Sequence, residues 1–246
     1  MMATFVLVHG AWHGSWCWKR VRKALQEHGH DVFTPTLTGV GERSHLLTPQ
    51  VNLDTHIDDI VNLIEREELT DVILCGHSYG GCVISGAADR VGDRIGALVY
   101  LDAFVLQDGQ CLHDTLPPAQ RKLQLELTQR YGEGWKTPPI PAEVFNVNAS
   151  DREWVDRQCT MQSIATFQQP IKLSGRQVKD ITFILASGWN DSPFRVFHEQ
   201  AKAKGWKTLS VDCGHDVMLD RPEELTNILL GVAAPPGQPR DREGES

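Results

Sequence analysis

The stretch that most constrains this chain is Asp71 to Gly81, DVILCGHSYGG. Val72 to Cys75 is a short apolar run of the kind a fully buried strand carries. It runs directly into Gly76-His77-Ser78-Tyr79-Gly80, the pattern G-x-S-x-G. A strand that breaks at once into a helix makes a turn too tight for ordinary side chains. Glycines on either side let the strand and helix backbones approach, while the central serine is held strained with its Oγ lifted clear of the sheet. The small residues of Gly81 to Ala88 (GCVISGAA) suit a helix packed closely on that sheet. Five such residues alone could spell an ordinary Gly/Ser turn. The strand before them and the helix after them select a nucleophile elbow, with Ser78 as nucleophile.

With 246 residues the chain can form one α/β domain with a substantial core, or two small ones. A formal charge of −8, with no basic run, argues against nucleic acid and anionic membrane surfaces as partners. The apolar start, Phe5 to Val8, is too short for a signal peptide or a membrane span, so a cytoplasmic location is expected. The six cysteines (Cys17, Cys75, Cys82, Cys111, Cys159 and Cys213) are scattered without C-x-x-C or metal-ligand spacing. They are expected to be free thiols in a reducing compartment, and no metal is expected. No Walker loop, dinucleotide fingerprint or H-E-x-x-H is present, so no cofactor is implied.

Taken in order, Thr4 to Val8 is a strand ending in His9-Gly10-Ala11-Trp12-His13-Gly14. A glycine-bearing loop at a strand end lets backbone N–H groups approach a ligand. In G-x-S-x-G hydrolases one oxyanion donor comes from such a loop and another from the residue after the nucleophile. The oxyanion hole is therefore assigned to the amides of Ala11 and Tyr79, with His9 and His13 bracing the loop. Helical spacing predicts helices over 18–28 and 53–67, the latter capped by Asn52 or Asp54. Strands are predicted at 31–35, 95–101, 181–186 and 208–211, and further helices at 195–204 and 222–230. Strand and helix alternating at this pace predict right-handed βαβ units and a parallel sheet, an α/β fold.

Between residues 111 and 170 the rhythm changes: prolines cluster, helices are polar, and no strand is evident. This segment is read as a helical cap inserted into a core formed by 1–110 and 171–232, with 233–246 a disordered tail. Apolar residues of the cap and core, Trp12, Phe104, Phe145 and Trp154 among them, are the candidate substrate contacts. Leu116, Trp135 and Phe167 are further apolar cap residues that could face the site.

A serine hydroxyl needs a base within hydrogen-bond reach, and the base needs an orienting acid, in the chain order Ser, acid, His. His215 follows the last strand, where a loop can deliver it to Ser78; His198 falls inside a helix and is read as a surface residue. Two acids compete. Asp191 lies in the turn after the 181–186 strand and is preferred; Asp102, at the end of the strand after the nucleophile, is the alternative.

FVLVHGAWHGSWCW, GHSYGG, LVYLDAF and GHDVML together resemble the α/β-hydrolase superfamily. Within it they are similar to the small esterases that include plant methylesterases, salicylate-binding esterases, hydroxynitrile lyases and bacterial carboxylesterases of the pyrethroid type. The resemblance covers roughly 4–110 and 170–232 and implies an α/β-hydrolase fold with an inserted cap. It further implies a serine carboxylesterase acting on small to medium apolar esters; the sequence leaves the oligomeric state open between a monomer and a homodimer. The lyases of this group carry threonine where this chain has Gly10 and lysine where it has Asp216. An acidic residue there would repel cyanide, so lyase chemistry is not expected. Haloalkane dehalogenases carry an aspartate nucleophile where Ser78 stands. A lactonase, a C–C bond hydrolase, or a ligand-binding receptor retaining the pocket are the alternatives on the same scaffold.

Overall fold

The computed structural model describes residues 2–176, 178–190 and 192–234. Its first half runs β1 (Thr4–Val8), α1 (Lys19–Glu27), β2 (Asp31–Phe33), α2 (Leu53–Arg66), β3 (Val72–His77), α3 (Gly80–Val91) and β4 (Ile95–Leu101). Beyond β4 come α4 (Leu112–Thr115), α5 (Pro118–Tyr131), β5 (Lys136–Thr137), α6 (Arg152–Gln158), β6 (Gln162–Ser163) and α7 (Ala165–Gln168). The chain returns to the main sheet with β7 (Asp180–Ala186), α8 (Arg195–Ala203), β8 (Lys207–Val211), α9 (Val217–Asp220) and α10 (Pro222–Ala233).

Six strands form one parallel sheet in the order β2-β1-β3-β4-β7-β8. Every residue of β3 is buried, which is why its sequence reads as an unbroken apolar run rather than an alternation. The chain steps outward from β1 to β2, then crosses back to β3 on the other side of β1. Loops leaving β1 and β3 therefore diverge, and a crevice opens at their carboxyl ends, where ligands of open α/β sheets bind.

Helices cover both faces. On one, Ile57, Ile60 and Ile64 of α2 present the apolar stripe that their spacing dictates. Asn52 caps α2 in a capping box, its Oδ1 accepting the Thr55 N–H at 3.0 Å. On the other face, Val21 and Leu25 of α1 pack with Leu225 and Leu229 of α10.

Several sequence expectations need correction. The β4–β7 connection does contain strands: β5 and β6 pair antiparallel, too short to register as a periodic pattern. The second strand ends at Phe33 rather than Pro35, since proline has no N–H to give a ladder. His198 is buried against Phe183 rather than on the surface. Residues 235–246 of the expected tail lie outside the described residues, and α10 continues to Ala233. Among the described residues, no helix is long and apolar enough to cross a membrane.

Candidate active site

Ser78 sits between β3 and α3 with φ +54°, the left-handed region that non-glycine residues rarely occupy. Its N–H donates to Leu101 O of the neighbouring strand, and its carbonyl accepts from Gly81 and Phe104 N–H. The glycines of the motif are a packing necessity. A Cβ at Gly76 would lie 2.6 Å from Gly80 O, and one at Gly80 would lie 2.8 Å from both Val8 O and His9 O.

His215 follows β8 and is buried; its backbone N–H donates to Phe145 O. Its ring stacks on Phe194 at 4.9 Å between centroids, with Trp189 and Phe145 at 5.3 and 5.2 Å. His215 Nδ1–H donates to Asp102 Oδ2 at 2.7 Å, and the other carboxylate oxygen of Asp102 accepts the Ala186 N–H at 3.1 Å. Asp102 thus stands at the end of β4, buried and pinned by β7, with its Oδ2 on the histidine. Asp191, the preferred acid from sequence, lies outside the described residues; the neighbouring Asn190 is exposed.

Ser78 and His215 face one cavity of about 480 Å³. Among the described residues the Ser78 hydroxyl has no hydrogen-bond partner, and the residue lines the cavity. Ala11 and Tyr79 line the same cavity, and among the described residues neither backbone N–H has a protein acceptor. The amides beside them are taken: Trp12 N–H by Gln162 Oε1 at 2.8 Å, Ser78 N–H by Leu101 O at 3.2 Å.

Of the expected substrate contacts, Trp12, Phe104 and Phe145 line the cavity, as do Leu116 and Phe167. Trp154 does not. It packs edge-on against Trp16 at 5.1 Å, and Trp16 in turn stacks on His13, so Trp154 lies behind the wall. Trp135 is likewise no part of the lining; Lys136 Nζ sits over its ring. Trp189 and Phe194 were missed, although their place in the loop after β7 puts them on the rim of the crevice.

Behind the histidine is a charged pair. His13 Nε2 lies 3.1 Å from Asp216 Oδ2, and His13 Nδ1 lies 2.7 Å from Ala11 O. With an acceptor at each nitrogen, the ring carries both protons. Burial works against that charge, but the Cys159 sulfur and the Asp216 carboxylate beside it hold the His13 pKa well above the ordinary 6.5. Burial likewise opposes ionisation of Asp216, yet His13 keeps its carboxyl below the usual range. Asp216 is not in the cavity lining, so its charge is spent on His13 rather than on a ligand.

His77, His215 and Asp216 bring ligand atoms within 4.8 Å of one another, a spacing a metal ion could use. Two nitrogens of the cluster are already committed: His77 Nε2 donates to His215 O at 3.0 Å and His215 Nδ1 to Asp102. The set is better explained as hydrogen-bonding structure around His215.

Burial pushes the His215 pKa down to about 4, while Asp216 pulls it up and His13 pushes it down. The ring is then neutral at pH 7, its Nε2 lone pair free to take a proton. A base acting through this nitrogen would work in its unprotonated form, so the kcat/KM it supports is expected to be level above neutrality. It should fall tenfold per unit on the acid side, with a midpoint between about 4 and the ordinary 6.5. A pH profile with its midpoint above 6.5 would show that the Asp216 charge outweighs burial.

A parallel sheet in this order, a serine on a strained strand-to-helix turn, and a histidine loop anchored by a strand-end aspartate together define an α/β-hydrolase. The chain belongs to the alpha/beta hydrolase family, whose model matches residues 5–228. It is 49% identical over 244 residues to a carbendazim hydrolyzing esterase from Nocardioides sp. (strain SG-4G), covering 94% of this chain and all of that one. It is 25% identical over 262 residues to methylesterase 10 of Arabidopsis thaliana, covering 94% of this chain and 91% of that one. Among solved structures, an extracellular alpha/beta-hydrolase from a Paenibacillus species superposes with a TM-score of 0.81 at 23% identity, covering 94% and 98% of the two chains. The protein is a carboxylic ester hydrolase, and its substrate is a small-molecule ester.

Proposed function

We propose that the protein is a serine carboxylesterase in which Ser78 is the nucleophile, His215 the general base, Asp102 the orienting acid, and the amides of Ala11 and Tyr79 the oxyanion hole. The observation that carries this reading is the meeting of Ser78, His215 and the two open amides at one cavity, with His215 Nδ1 held by Asp102. Ser78 Oγ attacks the ester carbonyl as His215 Nε2 takes its proton. The carbonyl oxygen becomes an oxyanion facing the two N–H groups. The imidazolium, steadied by Asp102, gives the proton to the departing alkoxide, which leaves as the alcohol. Water then repeats the sequence: His215 takes its proton, the hydroxide oxygen bonds to the acyl carbon, and Ser78 leaves with the proton as the acid is freed.

The substrate class follows from the walls. The lining is dominated by apolar and aromatic side chains, with Trp12, Phe104 and Phe167 deep in it, so either the acyl or the alcohol part is apolar. A volume of about 480 Å³ accommodates a small to medium ester. The β4–β7 connection supplies much of this wall and serves as a cap. The esterase from Nocardioides makes carbendazim, a methyl carbamate on a planar aromatic bicycle, the first specific compound to try. Methanol would be its leaving group and the carbonyl chemistry is unchanged.

The test is hydrolysis of a chain-length series of p-nitrophenyl esters and of carbendazim by the wild type. Turnover of the short and medium esters is expected, with a fall in kcat/KM once the acyl chain outgrows the cavity. Activity rising steadily towards the longest chains would refute an enclosed small-ester pocket. Hydrolysis of esters without carbendazim would confine the likeness to the chemistry and not to the substrate.

A further inference from the structure

We infer that Gln162, on the β4–β7 connection, is a positioning residue of the oxyanion hole and acts through Trp12. This rests on the reading of the Ala11 N–H as an oxyanion donor. Trp12 has φ +64°, a conformation that a tryptophan does not hold unaided. Each of its polar groups is gripped from the same connection. Its N–H donates to Gln162 Oε1 at 2.8 Å, its carbonyl accepts from Thr160 N–H at 3.0 Å, and its indole Nε1–H donates to Thr137 O at 3.1 Å.

Gln162 is itself fixed. It is buried, and its Nε2 donates to Thr166 Oγ1 at 2.8 Å. Thr166 has already given its only hydroxyl proton to Ser163 O, so it can only accept from Gln162. The amide therefore has one orientation, with its oxygen towards Trp12. Gln162 draws one N–H of the loop away from the cavity and leaves the next one to it.

The rest of the loop is held from the core. His9 Nδ1–H donates to Gly10 O at 2.8 Å, and His9 Nε2 accepts the Leu37 N–H at 3.0 Å, which settles its tautomer. In a trans peptide the N–H points opposite to the C=O, so binding Gly10 O to His9 aims the Ala11 N–H the other way. The following peptide is held at both ends, its oxygen by His13 and its N–H by Gln162. The single amide left over in this pair of peptides is Ala11, on the cavity wall. Holding a donor in place before charge develops is what makes such a hole effective, and a shift of about 1 Å can cost on the order of 100-fold.

The experiment compares wild type, Gln162→Leu, Gln162→Glu and Thr166→Val with p-nitrophenyl butyrate as substrate and a butyl trifluoromethyl ketone as inhibitor. The ketone adds Ser78 Oγ and leaves an oxyanion where the reaction leaves one. Gln162→Leu is expected to lose about 10- to 100-fold in kcat, with KM changed less than about threefold and the inhibitor Ki raised by the same factor as kcat falls. Gln162→Glu, whose protonated acid keeps an acceptor facing Trp12 and an O–H facing Thr166, is expected to lie nearer wild type on both readings. If Gln162→Leu does not fold, Thr166→Val frees the Gln162 amide to turn over, and the same paired change is expected at roughly 3- to 10-fold. Unchanged kcat and Ki in a folded variant, or a loss confined to KM or to thermal stability, would overturn the positioning role. A wild type that the ketone does not inhibit, or that hydrolyses esters equally well as Ser78→Ala, would instead bring down the serine and oxyanion-hole reading itself.

Discussion

Ser78→Ala is expected to lower kcat for p-nitrophenyl ester hydrolysis by about 10⁵- to 10⁶-fold while leaving the folded state intact. The size follows from what is lost. Without Oγ there is no acyl-enzyme, and water must attack directly in a pocket shaped for a bound nucleophile. What survives is the cavity and its two open amides, which in comparable sites leave a residual rate about 10³- to 10⁴-fold above water. The fold should tolerate the change because the Ser78 hydroxyl has no hydrogen-bond partner among the described residues, while the backbone N–H and C=O that hold the turn are untouched. Burst kinetics and the far-UV spectrum measured together would check both halves. A variant that retained more than about a hundredth of the wild-type rate would place the nucleophile elsewhere.

Asp102→Asn is expected to cost about 10⁴-fold in kcat, and the geometry says why. The Ala186 N–H needs an acceptor, so an asparagine at 102 would keep its carbonyl oxygen there, at the place where Asp102 Oδ1 now lies 3.1 Å away. Its NH₂ would then face His215 Nδ1. A donor at that position forces the imidazole into the tautomer with the proton on Nε2, the atom that must be bare to accept the serine proton. The ring stays in place and the chemistry stops. Since His215 Nδ1 has one proton and Asp102 Oδ2 accepts it at 2.7 Å, Asp191→Asn is expected to change kcat less than about threefold. Measuring both variants separates the acids. A collapse in Asp191→Asn with a near-normal Asp102→Asn would move the orienting role to the loop after β7.

The contrast between these two aspartates shows where the sequence was readable. G-x-S-x-G, the glycine loop after β1 and the G-H-D after β8 are each spelled within one short segment, so the pattern is visible before the distant neighbours that require the glycines are known. The parallel sheet was readable for a similar reason, because a strand buried on both faces must be apolar throughout. The partner of His215 depends instead on which strand end lies nearest in space. Asp102 precedes the histidine by more than a hundred residues, and only the adjacency of β4 and β7 brings Ala186 and His215 to it.

Trp154 failed as a substrate contact because an aromatic ring says only that it is buried, not behind what. Asp216 was weighed for its effect on a ligand, while its actual partner, His13, lies 203 positions earlier in the chain. Gln162 left no trace in the sequence at all. A glutamine in a proline-flanked, polar stretch reads as surface until the β5–β6 pairing turns it inward.

The grip on Trp12 has a bearing on how such an enzyme can be remodelled. Leu123 and Val144 border the cavity with 55% of each still exposed to solvent. Someone adapting the pocket to a bulkier ester could randomise those two positions freely. The strip carrying Thr137, Thr160 and Gln162 is different territory, since it shapes the pocket and also keeps the reaction centre in register. A graft that replaced the whole connection with that of a relative would exchange substrate range and turnover together, unless those three partners of Trp12 travelled with it.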